Sequence, residues 1–189
     1  MKKIYTKTGD RGKTALINGE RLAKNSLVFE VLGTLDEFNA HLGLVVWQLS
    51  KLNQGPIGQR EHAFLIDLQN ELFKLGAEVA ASPRVLLDEN FVPLLEQEID
   101  FLQNTLGKNW HNKFVLPGGS EIAAFLDLAR TVCRRLERRM VTLDHERDMR
   151  EVVLQFLNRL SDYLYVLRTW VNQALQVKEI EFQVTKSKN

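Results

Sequence analysis

Residues 120–189 contain neither glycine nor proline; all 11 Gly and all 4 Pro lie at or before Gly119. Inside a helix, glycine costs about 1 kcal/mol relative to alanine and proline about 3 kcal/mol. Nothing in this long stretch would therefore interrupt a helix. Its apolar positions set the register. Val153, Leu157, Leu160, Leu164, Leu167, Val171 and Ala174 alternate spacings of four and three, and Phe125, Ala129, Val132, Leu136, Met140 and Leu143 follow the same period. Each series reads as the buried seam of a helix in a bundle. The two predicted helices meet near residues 144–150, and Ser120, after Pro117-Gly118-Gly119, is placed to cap the first of them.

Three more stripes precede them: Val28, Leu32, Leu35, Leu42, Val46 and Leu49; Phe64, Leu68, Leu72, Leu75 and Val79; Phe91, Leu95, Ile99, Leu102 and Leu106. Asn25 or Ser26 would cap the first, Ser82-Pro83 ends the second and Gly107 stops the third. Asn53-Gln54-Gly55-Pro56 marks a loop. The expected fold is all-α, a five-helix bundle of the ferritin-like or four-helix-bundle type. Residues 1–24 differ. Gly9, Gly12, Gly19 and the polar run from Thr6 to Thr14 exclude a helix and predict a non-helical N-terminal arm. The expected organisation is an arm (1–24), a helical bundle (25–178) and a C-terminal tail (179–189), in a single domain.

The formal net charge is +1, from 25 Lys+Arg against 24 Asp+Glu. That balance argues against wholesale binding to nucleic acid or to an anionic membrane. The longest apolar run, Leu42 to Trp47, is too short for a membrane span, and residues 1–7 lack the apolar stretch of a secretory signal. A cytoplasmic protein is expected. The one cysteine, Cys133, permits neither an internal disulfide nor a Cys-rich zinc site and reads as packing. His41, His62, His111 and His145 are scattered without metal-ligand spacing, so no protein-held metal is expected.

Charge is unevenly placed, however. The arm carries Lys2, Lys3, Lys7, Arg11, Lys13, Arg21 and Lys24 against Asp10 and Glu20, a local +5. Glycine amides, hydroxyls and lysine together suit phosphate, although no Walker A loop is present and a flexible basic tail is the plainer reading. Seven arginines fall between residues 130 and 150, with no lysine from 114 to 177. Arg130, Arg134 and Arg138 share one helical face, with Glu137 beside Arg134. Guanidinium suits phosphate and carboxylate; the plainer reading is a solvated face laced with salt bridges. Asn158 and Asp162 share a polar face of the last helix. Gly33 and Gly43 within a helix suggest close backbone packing, and Asp36 on their side would need a cation if buried. Phe114, ahead of the rigid Pro117 turn, is either a core anchor or the wall of a ligand pocket. No general base stands out.

Jointly these pieces resemble a known family. Tyr5-Thr6-Lys7-Thr8-Gly9-Asp10-x-Gly12-x-Thr14, Gly19-Glu20-Arg21, Lys24 and Glu30-x-x-Gly33-Thr34-Leu35-Asp36-Glu37 resemble the N-terminal signature of the PduO-type ATP:cob(I)alamin adenosyltransferases. Phe114 to Gly119, Ala129 to Arg138 and Leu157 to Leu164 are similar to its C-terminal signatures, in the right order. The resemblance implies transfer of the 5′-deoxyadenosyl group of ATP to the cobalt of a reduced corrinoid, giving adenosylcobalamin and triphosphate, a reaction of the EC 2.5.1 class. It implies a homotrimer with active sites between subunits, Mg²⁺ arriving mainly on the ATP phosphates, and a corrinoid reductase as a further partner, with no nucleic acid and no membrane. Carried over by position, Thr6, Lys7, Thr8, Gly9, Asp10 and Thr14 would line the nucleotide and Lys24 would reach phosphate. Arg134, Arg135, Glu137, Arg138 and Asn158 would hold ATP from the helices. Asp36 and Arg130 would pair across the interface near the corrinoid. Phe114 would sit under the corrin and displace the lower ligand of cobalt. Arg134, Phe114, Asp36 and Arg130 are thus the expected catalytic set. Asp127 stands where relatives often have His. Two rivals remain at this level: a non-catalytic bundle that binds or delivers nucleotide or corrinoid, and a helical nucleic-acid binder using Arg134-Arg135 and Arg138-Arg139.

Overall fold

The structure, a computed structural model, describes residues 4–51 and 58–183. The predicted loop around Asn53 to Pro56 and the tail's last residues, 184–189, lie outside the described residues. Five helices follow a small hairpin: β1 (Lys13–Ala15), β2 (Arg21–Ala23), α1 (Leu27–Lys51), α2 (Gln59–Val79), α3 (Phe91–Leu106), α4 (Glu121–Asp144) and α5 (Glu151–Ala174). The sequence stripes lie on the buried faces: Leu42, Leu49, Leu68, Leu95, Leu136, Leu157, Leu164 and Leu167 are sealed from solvent, while Leu32, Val46, Phe64 and Phe125 are half-buried against that core.

Burial of these stripes drives the helices together. α1 packs on α2 and α4, and α5 packs on α4 and α3. The ring closes between α2 and α3 through a stacked Phe64–Phe91 pair, with centroids 5.5 Å apart, and an Arg60–Glu98 ion pair at 2.6 Å. Ser120 caps α4 by accepting from the Ala123 amide at 3.2 Å, as expected. Ser26 precedes α1, but its Oγ is buried without a partner. Gly107 (φ 87°) ends α3.

The arm is not a loose tail over its described part. β1 and β2 pair antiparallel, with Thr14 opposite Leu22. Leu16 at the hairpin tip is buried, the Ile17 amide donates to the Ala80 carbonyl at 3.0 Å, and Arg147 grips both Glu20 carboxylate oxygens at 3.1 Å.

The expectation of close backbone packing at Gly33 is corrected within this chain: a Cβ there would meet nothing within 4 Å. The tight glycine is Gly119. At φ 106°, a Cβ would lie 2.4 Å from Asn172 Nδ2, and Asn172 is wholly buried. Gly119→Ala is therefore expected to destabilise the chain by about 2 kcal/mol or more. A urea denaturation midpoint equal to the parent's would contradict this close fit.

Candidate functional site

The arm builds a turn of amides and hydroxyls. Lys7 takes a left-handed φ of 62°, a conformation that costs a non-glycine residue energy. The Asp10 amide donates to the Lys7 carbonyl at 3.4 Å and the Gly12 amide to Gly9 at 3.2 Å. Thr6 and Thr8 hydroxyls meet at 2.8 Å, and Arg21 donates to the Thr8 carbonyl at 3.0 Å. Lys24 leads into α1, and its ammonium lies where a Gly9 Cβ would come within 3.1 Å. The bare Gly9 backbone thus gives room for Lys24 over the turn, and the structure brings Lys24 to the residues expected to work with it.

The α4 arginines separate into two groups. Arg135 pairs with Glu37 and Arg139 with Glu30 and Thr34, tying α4 to α1. For these two the salt-bridge reading holds. From Arg130 to Arg168, every arginine on α4, α5 or their connection has a carboxylate partner among the described residues, save Arg134 and Arg138. Arg138 Nη1 donates to the Arg134 carbonyl at 3.0 Å, while the exposed Arg134 guanidinium makes no hydrogen bond or ion pair among the described residues. Alongside, Asn158 Nδ2 donates to Glu137 Oε1 at 3.1 Å, joining α5 to α4. Partial burial pushes the Asp162 carboxyl above its usual range; Glu137 adds to this, and Arg159 and Arg134 oppose it. Cys133 is buried, its thiol pushed up by desolvation, so it packs rather than reacts.

Phe114 is 85% exposed, which removes the core-anchor reading. Asp36 is exposed beside a cleft of about 330 Å³ lined by Ile17, Leu32, Leu35, Asn39, Phe73 and Gly76. Within one chain Asp36 does not pair with Arg130. Arg130 lies 3.4 Å from Asp127 instead, and its Nε is buried without a hydrogen-bond partner. Among the described residues no hydrogen bond or ion pair joins Thr6 to Thr14 to Arg134, Glu137, Arg138 or Asn158. The residues expected to bind one nucleotide form two separate groups.

Sequence reasoning missed Arg168, Asn172 and Glu179. Arg168 is 1% exposed and ion-paired to Asp127 at 3.3 Å and Glu179 at 2.5 Å. Its signal was a charged residue flanking the Leu164–Leu167–Val171 seam. Asp127 also resolves here: it is buried and accepts from the Gly118 amide at 2.9 Å.

A family model described as cobalamin adenosyltransferase matches residues 4–171. The chain is 38% identical over 186 residues to the corrinoid adenosyltransferase of Bacillus subtilis (strain 168), covering 96% of this chain and 92% of that protein. It is also 38% identical over 174 residues to a cobalamin adenosyltransferase of Cupriavidus metallidurans, covering 92% and 90%. Among solved structures, a variant PduO-type ATP:corrinoid adenosyltransferase from Lactobacillus reuteri, complexed with cobalamin and ATP, superposes with a TM-score of 0.85 at 30% identity, covering 96% of this chain and all of that one.

Proposed function

This chain belongs to the cobalamin adenosyltransferase family, and we propose how its residues divide that family's work. The enzyme transfers the 5′-deoxyadenosyl group of ATP to the cobalt of a reduced corrinoid. The Co(I) electron pair forms the bond to C5′, the C5′–O bond breaks, and its pair leaves on triphosphate. No proton moves in that displacement, so it asks no general base of the protein. The protein must align three atoms and stabilise charge on the leaving group.

The observation that carries the assignment is the Arg134 guanidinium, unpartnered among the described residues, next to Arg138 and the Glu137–Asn158 bridge, on a helix where Arg130, Arg135 and Arg139 are paired with carboxylates. These four hold the nucleotide from the helices. Thr6, Lys7, Thr8, Gly9, Asp10 and Thr14 line it from the arm, and Lys24 meets phosphate. Arg135, turned to Glu37, steadies α4 behind them. Mg²⁺ would ride on the phosphates and supply further charge neutralisation, because the arm offers mainly cations, hydroxyls and amides rather than a carboxylate set. Phe114 forms the apolar wall under the corrin that excludes water and a lower ligand from cobalt.

Two groups that no hydrogen bond or ion pair joins among the described residues of one protomer can enclose one nucleotide if subunits meet. A homotrimer with shared sites is supported by that separation, by the exposed apolar Phe73 and Ile17 beside Asp36, and by the open flank of Gly33. Arg130 would then meet Asp36 of a neighbouring copy. The reading places the enzyme in the cytoplasm, where a reductase would supply the Co(I) corrinoid. The deciding experiment incubates purified protein with reduced corrinoid, ATP and Mg²⁺ and follows adenosylcobalamin by its absorption. Stoichiometric binding of both ligands without product would leave only a carrier and overturn the assignment.

A further inference from the structure

We infer that the buried ion cluster of Asp127, Arg168 and Glu179 fixes the backbone of Phe114, making Arg168 and Glu179 positioning residues for the corrin's lower face. The inference rests on the reading of Phe114 given above. Phe114 is almost fully exposed, so its ring has little packing to hold it. Only its backbone can set where that ring stands.

Two sets of contacts do this, and one guanidinium joins them. Four residues after Phe114, the Gly118 peptide is held on both sides. Its amide donates to Asp127 Oδ2 at 2.9 Å, and its carbonyl accepts from Arg168 Nη2 at 2.7 Å and Asn172 Nδ2 at 3.1 Å. Laterally, the segment after α5 lies antiparallel beside Phe114. The Leu116 amide donates to the Ile180 carbonyl and the Phe182 amide to the Phe114 carbonyl, both at 2.8 Å, around a Val115–Glu181 bridge. Lys113 pairs with Glu181 at 2.7 Å on the exposed side.

A pairing this short is marginal alone in water. Its anchor is Glu179, one residue before Ile180. Glu179 Oε1 accepts from Arg168 Nη1 at 2.5 Å and from Asn172 Nδ2 at 3.1 Å. Arg168, 1% exposed, therefore binds the turn and the tail strand at once. A buried guanidinium is strongly coupled to its carboxylates, because losing one leaves charge uncompensated. Asp127 also reaches Arg130 at 3.4 Å, so the cluster connects the Phe114 support to the residue assigned near the corrinoid.

The test uses full-length Glu179→Ala, which leaves Arg168 its Asp127 partner so that the bundle still folds, and Glu179→Gln, which keeps an acceptor for Arg168 and Asn172. With ATP and cob(II)alamin bound, electron paramagnetic resonance reads the fraction of Co(II) lacking a lower ligand. Glu179→Ala is expected to lower that fraction about fivefold while ATP affinity stays within about twofold, and Glu179→Gln to retain most of it. A parent-like spectrum from Glu179→Ala overturns the inference, as does an equal loss of ATP affinity, which would mark a general structural role. Phe114→Ala is measured in parallel; if it too leaves the spectrum unchanged, the Phe114 reading itself fails.

Discussion

Arg134→Ala is expected to lower kcat/KM by about 10²-fold or more, the usual scale for removing one contact to developing charge. The residue's guanidinium has no partner among the described residues of the protomer, so its removal strands no carboxylate partner there. Stability should stay within about 0.5 kcal/mol of the parent, as for exposed residues without structural contacts. Arg135→Ala offers the contrast. It removes the partly exposed Glu37 pair, worth about 1 kcal/mol at most, and leaves Arg134 in place, so its activity should exceed that of Arg134→Ala. Steady-state kinetics beside thermal denaturation check both. Near-normal turnover of Arg134→Ala would remove its assigned role.

Phe114→Ala should leave ATP binding intact and impair formation of the Co(II) state that lacks a lower ligand. The ring is mostly in solvent without substrate, so its deletion costs the fold little. A void below the corrin would admit water or the displaced ligand to cobalt. A ligand on that face makes Co(II) harder to reduce, and product formation from Co(II) should slow by about tenfold or more. Optical and paramagnetic resonance spectra of the bound corrinoid report the ligand directly, and calorimetric titration reports ATP. Unchanged spectra would refute the wall; a matching loss of ATP affinity would show that Phe114 acts more broadly.

Much of the fold was legible because helical information is local. The period of apolar residues selects helix and buried face together, and the Gly118-Gly119-Ser120 run and Gly107 mark ends through backbone geometry. Glycine spacing was less informative within helices. Gly33 suggested a close approach that the single chain does not make, because a missing Cβ does not say whether a neighbour arrives. Phe114 was ambiguous for the same reason: its sequence setting fits a core residue or an exposed wall, and only the tertiary structure shows it outside.

The glycine- and proline-free stretch by itself determined two long helices, their seams and the Ser120 cap of the first. It also determined that arginines would line α4. What it could not determine was which arginines are free. Arg134 and Arg135 are adjacent and chemically identical, but a turn of about 100° per residue aims them differently. Glu37, nearly a hundred positions away, neutralises one of them. Asp127, Arg168 and Glu179 likewise become one cluster only when α4, α5 and the tail converge. Partnership between distant charges depends on tertiary packing, and that packing decided which side chains hold the fold and which are left for the substrate.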